Sequence, residues 1–199
     1  METTDIQKTN IGAGEGSHAD KAHFGFWVYL MTDLIMFAAL FATYAVLKNN
    51  TFGGPSGKEL FSLPFVLGET LILLTSSFTC GLTMLAAHKN QAKQVITWLS
   101  VTFLLGASFL VMELTEFHRL AAEGHTPQAN AFLSSFFTLV GTHGLHIAVG
   151  MLWIFIMIIA LIGRGITPSN IKKLTALSLF WHFLDIVWIF IFTIVYLLK

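Results

Sequence analysis

The sequence has one cysteine, four prolines and few charged residues. The single cysteine, Cys80, excludes an internal disulfide, a zinc cluster built from several cysteines and a c-type haem attached through two cysteines. Charged residues make up 11% of the chain and balance to a formal net charge of zero, which argues against nucleic acid as a partner. Because Cys80 lies inside an apolar run, we expect its thiol to pack in the protein interior.

Hydrophobic residues make up 55% of the chain, and most of them fall in five long runs. A membrane crossing needs about 20 apolar residues, so each run is long enough to span a bilayer. Buried helices of a soluble protein keep a polar face, whereas Trp153–Ile162 has none. The sequence therefore predicts an all-α membrane protein, a bundle of five transmembrane helices, with spans at about 24–47, 64–87, 94–118, 132–162 and 174–198.

The polar residues divide the chain into a tail and a membrane domain. Residues 1–22 are polar and contain no apolar core, so we expect a flexible cytoplasmic tail rather than a cleaved secretory signal. Residues 23–199 are expected to form the transmembrane domain. A chain of 199 residues leaves no room for a separate soluble catalytic domain beside five spans.

Lysine and arginine are distributed unequally between the two sides that five spans define. Cytoplasmic loops of membrane proteins carry an excess of these residues. We therefore expect the N-terminus to be cytoplasmic and the C-terminus to be periplasmic. The cytoplasmic group is Lys8, Lys21, Lys89, Lys93, Arg164, Lys172 and Lys173, and the opposite group is Lys48, Lys58, Arg119 and Lys199.

Acids and histidines occur inside the apolar runs. At about 1.5 Å per residue, Asp33, His143 and Asp185 lie near the middle of the bilayer, with His182 one turn from Asp185. A charged side chain at this depth costs roughly 2.5–3.5 kcal/mol, so such residues normally face a partner or a cavity. We expect Asp33 and Asp185 to be held by His143, His182 or both, through hydrogen bonds or ion pairs.

This buried polar cluster, which also includes His146, has three open interpretations. It stabilises the packing of the helices, it handles protons, or its histidines bind a metal or a b-type haem. The structural interpretation is the default, because histidine spacing alone is weak support for a ligand set. In the fifth span Trp181, Asp185 and Trp188 form one stripe, and we expect the indole N–H groups to donate to the carboxylate across a buried interface.

Three further acids lie toward the non-cytoplasmic side of the second and third spans. Glu113 and Glu116 share a face near the end of the third span, and Glu69 lies at a similar depth in the second. We expect these side chains to reach water or lipid headgroups, with a proton path as the alternative. Together with Trp181 and Trp188 they are candidates for lipid or interface contacts.

Two motifs carry a family resemblance. The run WHFLDIVW at residues 181–188 and the run GTHGLH at residues 141–146 resemble the two markers of subunit III of the haem–copper respiratory oxidases. The likeness extends from Phe24 to the end of the chain, with Asp33 in the place of the family's buried acid and Glu116 matching a later acid. The mitochondrial form has seven spans, and this chain resembles the shorter bacterial version that lacks the first two.

Within the family, GGPSGKELF at residues 53–61 and LPF at residues 63–65 are most similar to the bo-type ubiquinol oxidase subunit. Subunit III of a cytochrome c oxidase is the alternative. The chain departs from the mitochondrial pattern at Asp33, where that form has glutamate, and at Glu113, where it has glutamine. Titration behaviour known for the mitochondrial form therefore does not transfer to these positions.

The resemblance implies a non-redox accessory subunit of a proton-pumping terminal quinol oxidase in the bacterial inner membrane. No catalytic residue, cofactor or metal site is expected in this chain. The haems and copper are expected in the large catalytic subunit, the partners are oxidase subunits I, II and a small subunit IV, and phospholipid is an expected ligand. Family members support assembly, stability and sustained proton uptake of the catalytic subunit.

Two other classes of protein remain as alternatives. One is an independent haem- or metal-binding electron-transfer protein that uses His143, His146 and His182. The other is a small transporter with Asp33 and Asp185 as a proton relay. The transporter is less favoured, because the chain shows neither an internal repeat nor the interrupted spans that such proteins commonly have.

Overall fold

The computed structural model describes residues 3–48, 63–124, 126–128 and 130–198. Within these residues five helices are long and apolar enough to cross a membrane, which confirms the predicted fold class. The segment 53–61, on which part of the bo-type resemblance rests, lies outside the described residues. The helices are α1 (Thr3–Leu47), α2 (Leu63–His88), α3 (Ala92–Ala122), α4 (Ala131–Arg164) and α5 (Pro168–Ile191), and π-helical turns follow at Phe192–Leu197.

Two compact units, Met1–Met36 and Phe37–Lys199, divide the chain within α1. The first contains the beginning of α1. The backbone of residues 3–22 is helical there, and the flexibility predicted for this stretch stays a prediction. The apolar part of α1 that can cross a membrane is Phe24–Leu47, which agrees with the predicted first span.

The second unit is built around α2, α3, α4 and α5. Helix α2 packs against α3 and α5, and α4 packs against the same two helices, so the four form a closed bundle. The interior is filled by large apolar side chains that have almost no accessible surface, among them Leu99, Phe109, Phe136, Trp181 and Trp188. More than half of the surface of Leu104, Leu145, Leu152 and Ile162 is exposed, as expected for side chains that face lipid.

The last part of α1 belongs to this unit and contacts it through aromatic rings. Ring centroids lie 6.1–6.5 Å apart in three pairs, a distance at which tilted and edge-to-face rings attract. The pairs are Phe37 with Phe183, Phe41 with Phe190 and Tyr44 with Phe132. These contacts place the end of α1 beside both α4 and α5.

Helix α5 begins six residues before the predicted start of the fifth span, at Pro168 instead of residue 174. The side chain of Thr167 accepts a hydrogen bond from the backbone N–H of Asn170 at 3.2 Å, which caps the helix. Proline is well suited to the first turn because it needs no N–H partner there. Gly165, with φ +64°, ends α4 and completes the tight connection.

Candidate functional site: the buried polar groups of the bundle

His182 and Asp185 lie together, as the sequence predicts, and Ser77 of α2 joins them. A hydrogen bond of 2.5 Å links the Ser77 hydroxyl to Nδ1 of His182, and the same nitrogen lies 3.8 Å from Oδ2 of Asp185. Asp185 is 5% exposed, whereas 42% of the His182 side chain is exposed. The pair therefore has a buried acid behind an imidazole that reaches the surface of the chain.

His143 occupies an aromatic environment. It is fully buried, stacks on Trp188 at a centroid distance of 5.2 Å and meets the edge of Phe109 at 6.1 Å. Neither ring nitrogen has a hydrogen-bond partner among the described residues. His146, one turn later, hydrogen-bonds through Nδ1 to the backbone carbonyl of Thr142 at 2.7 Å. The contacts of His143 are thus packing contacts, and any proton or ligand role for these histidines stays a prediction.

The two tryptophans of the fifth span donate to hydroxyl groups of α2. Trp181 Nε1 donates to Ser76 Oγ at 3.0 Å, and Trp188 Nε1 donates to Thr70 Oγ1 at 3.1 Å. The prediction that they donate to the Asp185 carboxylate is therefore wrong. The sequence shows two tryptophans seven residues apart and two hydroxyl residues six residues apart on another span, but not that these residues face each other.

Trp181 also contacts two glycines. A Cβ added at Gly106 of α3 would lie 2.9 Å from the indole ring, and one added at Gly150 of α4 would lie 3.1 Å from it. A real Cβ does not approach as closely as 2.9 Å, so position 106 must be glycine for the ring to lie where it does, and a side chain at position 150 would require the ring to shift slightly. Sequence reasoning identified Trp181 as an interface residue but missed these two glycines.

The acids Glu69, Glu113 and Glu116 are buried, at 0%, 2% and 4% exposure. The structure thus differs from the expectation that they reach water or headgroups. All three lie within electrostatic range of one another and of the buried Tyr196. The carboxyl oxygens of Glu69 and Glu113 have no hydrogen-bond partner among the described residues.

Glu113 lies directly against Gly144 of α4. A Cβ at position 144 would be 2.7 Å from Oε1 of Glu113, so the absence of a side chain there makes room for the carboxyl group. The pair lies beside an open, apolar groove of about 290 Å³ between α3 and α4. The residues that line it are Leu110, Glu113, Leu114, Phe117, Gly141, Gly144, Leu145 and Ala148.

Asp33 lies in the first unit, where it is 8% exposed and has Tyr29 as an electrostatic neighbour. Its predicted link to the histidines and to Asp185 stays a prediction. Across the described ranges, no group of three or more histidine, cysteine or acidic side chains is placed so that it could hold a metal ion. Cys80 is buried, as expected.

Comparison with known proteins gives one family. Residues 5–199 match the family described as cytochrome c oxidase subunit III. The chain is 56% identical to cytochrome bo(3) ubiquinol oxidase subunit 3 of Pseudomonas aeruginosa, over 100% of this chain and 99% of that protein. It is 57% identical to the subunit of that name from Pseudomonas putida, over 87% of this chain and 84% of the relative.

A third relative carries a different name. The chain is 47% identical to cytochrome c oxidase subunit 3 of Bacillus sp. PS3, over 87% of this chain and 84% of the relative. The family match and these identities cover the five helices and the buried polar groups described above. This chain therefore belongs to the subunit III family of the haem–copper oxidases.

Proposed function

We propose that this chain is the non-redox accessory subunit III of a proton-pumping terminal oxidase that takes electrons from ubiquinol. The observation that carries the proposal is the full-length similarity to the Pseudomonas aeruginosa ubiquinol oxidase subunit. A cytochrome c oxidase is the second candidate, because the Bacillus sp. PS3 relative bears that name. The electron donor binds to other subunits, so the purified complex, offered ubiquinol or reduced cytochrome c, distinguishes the two.

The chemistry of oxygen reduction then belongs to the large catalytic subunit, which is where the haems and copper are expected. In this chain the histidines have other contacts. His143 stacks on an indole, His146 hydrogen-bonds to a backbone carbonyl, and His182 contacts a serine and an aspartate. These contacts support a role in helix packing over a role as haem ligands.

The chain would act on the catalytic subunit through the surface of a rigid helical bundle. The bonds of Trp181 to Ser76 and of Trp188 to Thr70 join α5 to α2 in the interior of the bundle. Interhelical hydrogen bonds in membranes contribute about 0.6 kcal/mol on average, so several of them act together with close packing. A bundle held in this way can restrict local opening of the catalytic subunit around its proton entrance.

An oxidase that lacks this chain should therefore lose its activity gradually during turnover. An oxidase purified without this chain is expected to keep most of its initial rate of oxygen reduction but to lose activity several times faster as it turns over. Reconstitution with the wild-type chain should restore the slower loss. Equal inactivation rates with and without the chain would contradict the proposed role.

Subunits I, II and a small subunit IV are the proposed protein partners, and phospholipid is the proposed ligand of the apolar outer surface. The relatives are bacterial oxidase subunits and the chain has five candidate spans, so it is a multi-pass protein of the bacterial inner membrane. Native mass spectrometry of the complex in mild detergent would give the subunit composition and the number of retained phospholipids. A complex that lacks subunit I would refute this assignment of partners.

The proposed orientation has the N-terminus in the cytoplasm. Lys89 and Arg119 lie near opposite ends of α3. A cysteine introduced at either position can be labelled with a membrane-impermeant thiol reagent. The native Cys80 is 2% exposed, so its background labelling should be low. In spheroplasts the Arg119→Cys variant should be labelled and the Lys89→Cys variant protected until the membrane is permeabilised. The reverse pattern would invert the proposed orientation.

A further inference from the structure

The exposed surface where α2 and α5 meet carries a histidine near the middle of the membrane. His182 lies near the centre of the span Pro168–Leu197, about 21–23 Å from either end at about 1.5 Å per residue. Its Nδ1 is engaged by Ser77 and lies near Asp185, while 42% of its side chain is exposed. The ring therefore presents a hydrogen-bonding nitrogen, Nε2, outside the contacts that hold Nδ1.

The neighbouring residues form a surface that another helix could approach closely. Ser77 and Gly81 are one turn apart on α2, which is the spacing of small residues at which membrane helices commonly meet. Gly81 is exposed, and a Cβ added there would meet open space. Leu74 and Ile186 extend the same surface and are 43% and 54% exposed. We refer to Leu74, Ser77, Gly81, His182 and Ile186 as the His182 surface.

Asp185 lies behind His182, with Oδ2 3.8 Å from Nδ1 of the ring. Asp185 is buried, so within this pair it is the His182 ring that faces the outside of the bundle. Hydrogen-bonding groups in hydrocarbon normally find partners, because water is absent there. A phospholipid acyl chain offers His182 no such partner, whereas a polar side chain on a neighbouring helix does.

We propose that the His182 surface is the docking site for a transmembrane helix of another oxidase subunit, which places a hydrogen-bonding side chain against His182. The inference rests on the proposed function, since it assumes that the chain is assembled in an oxidase. Small residues on α2 allow the two backbones to approach, and the imidazole fixes the register of the incoming helix. Asp185 and Ser77 hold the imidazole in place.

The test uses a photo-crosslinking amino acid, p-benzoylphenylalanine, at Ile186 of the tagged chain in intact membranes. Irradiation is expected to give an adduct with a transmembrane segment of another oxidase subunit. Replacing His182 by Phe should lower the yield of this adduct about fivefold, the effect expected of one interhelical hydrogen bond. Replacing it by Gln, which keeps hydrogen-bonding capacity, should leave most of the yield.

A second crosslinker position makes the test independent of the His182 variants. The same amino acid at Leu74, with His182 intact, should give an adduct with the same subunit. Adducts with phospholipid alone, or with a second copy of this chain, would overturn the inference, as would an unchanged yield in the Phe variant. If no haem-bearing oxidase co-purifies with the tagged chain, the proposed function itself fails. If the oxidase co-purifies and only lipid is crosslinked, the docking inference alone fails.

Discussion

A Cβ added at Gly106 would lie 2.9 Å from Cη2 of Trp181. The same indole faces Gly150 of α4 and donates its N–H to Ser76 of α2. One fully buried side chain of α5 thus touches the three other helices of the bundle. Trp181 fixes the distances between them, because its ring leaves no room for closer or larger neighbours.

Gly106→Ala should destabilise the bundle by about 1–3 kcal/mol, the usual cost of overpacking a filled interior. The new methyl group would force the Trp181 ring to shift and weaken its bond to Ser76. Thermal loss of near-ultraviolet circular dichroism in detergent would measure the effect. Gly163→Ala is the control, since a Cβ there meets nothing within 4 Å. Equal transitions for the two variants would contradict the packing described for Trp181.

Gly144→Ala should likewise be destabilising by about 1–3 kcal/mol, because its methyl group would overlap the Glu113 carboxyl. Gly141→Ala, one turn earlier on the same groove, should be tolerated, since its Cβ would lie 3.7 Å from Phe117. Removing the carboxyl group in a Glu113→Ala, Gly144→Ala double variant should recover part of the lost stability. A double variant less stable than Gly144→Ala alone would argue against the contact.

His143→Phe should leave oxidase assembly intact and the thermal stability unchanged or higher. Phenylalanine keeps the stack on Trp188 and removes two buried nitrogens that have no hydrogen-bond partner among the described residues. Each unsatisfied buried polar group costs about 1–3 kcal/mol of stability. His143→Ala, which also removes the stack, should cost about 2–5 kcal/mol. Visible spectra and thermal transitions of the purified oxidase would check both. Loss of the haem spectrum in His143→Phe would instead favour a ligand role.

Thr70→Val and Trp188→Phe should be coupled, because each removes the same hydrogen bond between α2 and α5. The double variant should be less destabilised than the sum of the single variants by about 0.6 kcal/mol, and by no more than about 1.7 kcal/mol. Thermal transitions of the four proteins in one detergent give this value. Strict additivity would mean that the bond contributes nothing to stability.

The number and type of the elements could be predicted from the sequence, because a bilayer requires about 20 apolar residues per crossing and leaves few alternatives. The predicted fifth span begins at about residue 174, where the apolar run starts, whereas the helix itself begins at Pro168. Pro168 and Gly165 both mark chain breaks in sequence, yet here Gly165 ends one helix and Pro168 begins the next. The hydrogen bond from the Asn170 N–H to the Thr167 side chain fixes the start of α5 at Pro168.

The polar contacts were predicted less well than the spans. His182 and Asp185 are one turn apart on one helix, so their proximity follows from helix geometry alone. The acceptors of Trp181 and Trp188 come from α2, and the rotation of one helix about its axis relative to another is not encoded in the period of a single sequence. The burial of Glu69 and Glu113 depends on the same rotations. Their positions near the ends of the spans predict contact with water or headgroups, and the sequence alone does not show that these side chains point into the bundle.

The most direct test of the central claim is the identity of the proteins that co-purify with this chain in fixed ratio. The tagged chain would be extracted from its native membrane in mild detergent and the complex analysed by mass spectrometry and visible spectroscopy. We predict equal amounts of a large haem-bearing subunit and a subunit II that lacks copper, with oxidation of ubiquinol by the complex. Recovery of the chain alone would contradict the accessory role, and a copper-bearing subunit II would contradict the quinol donor.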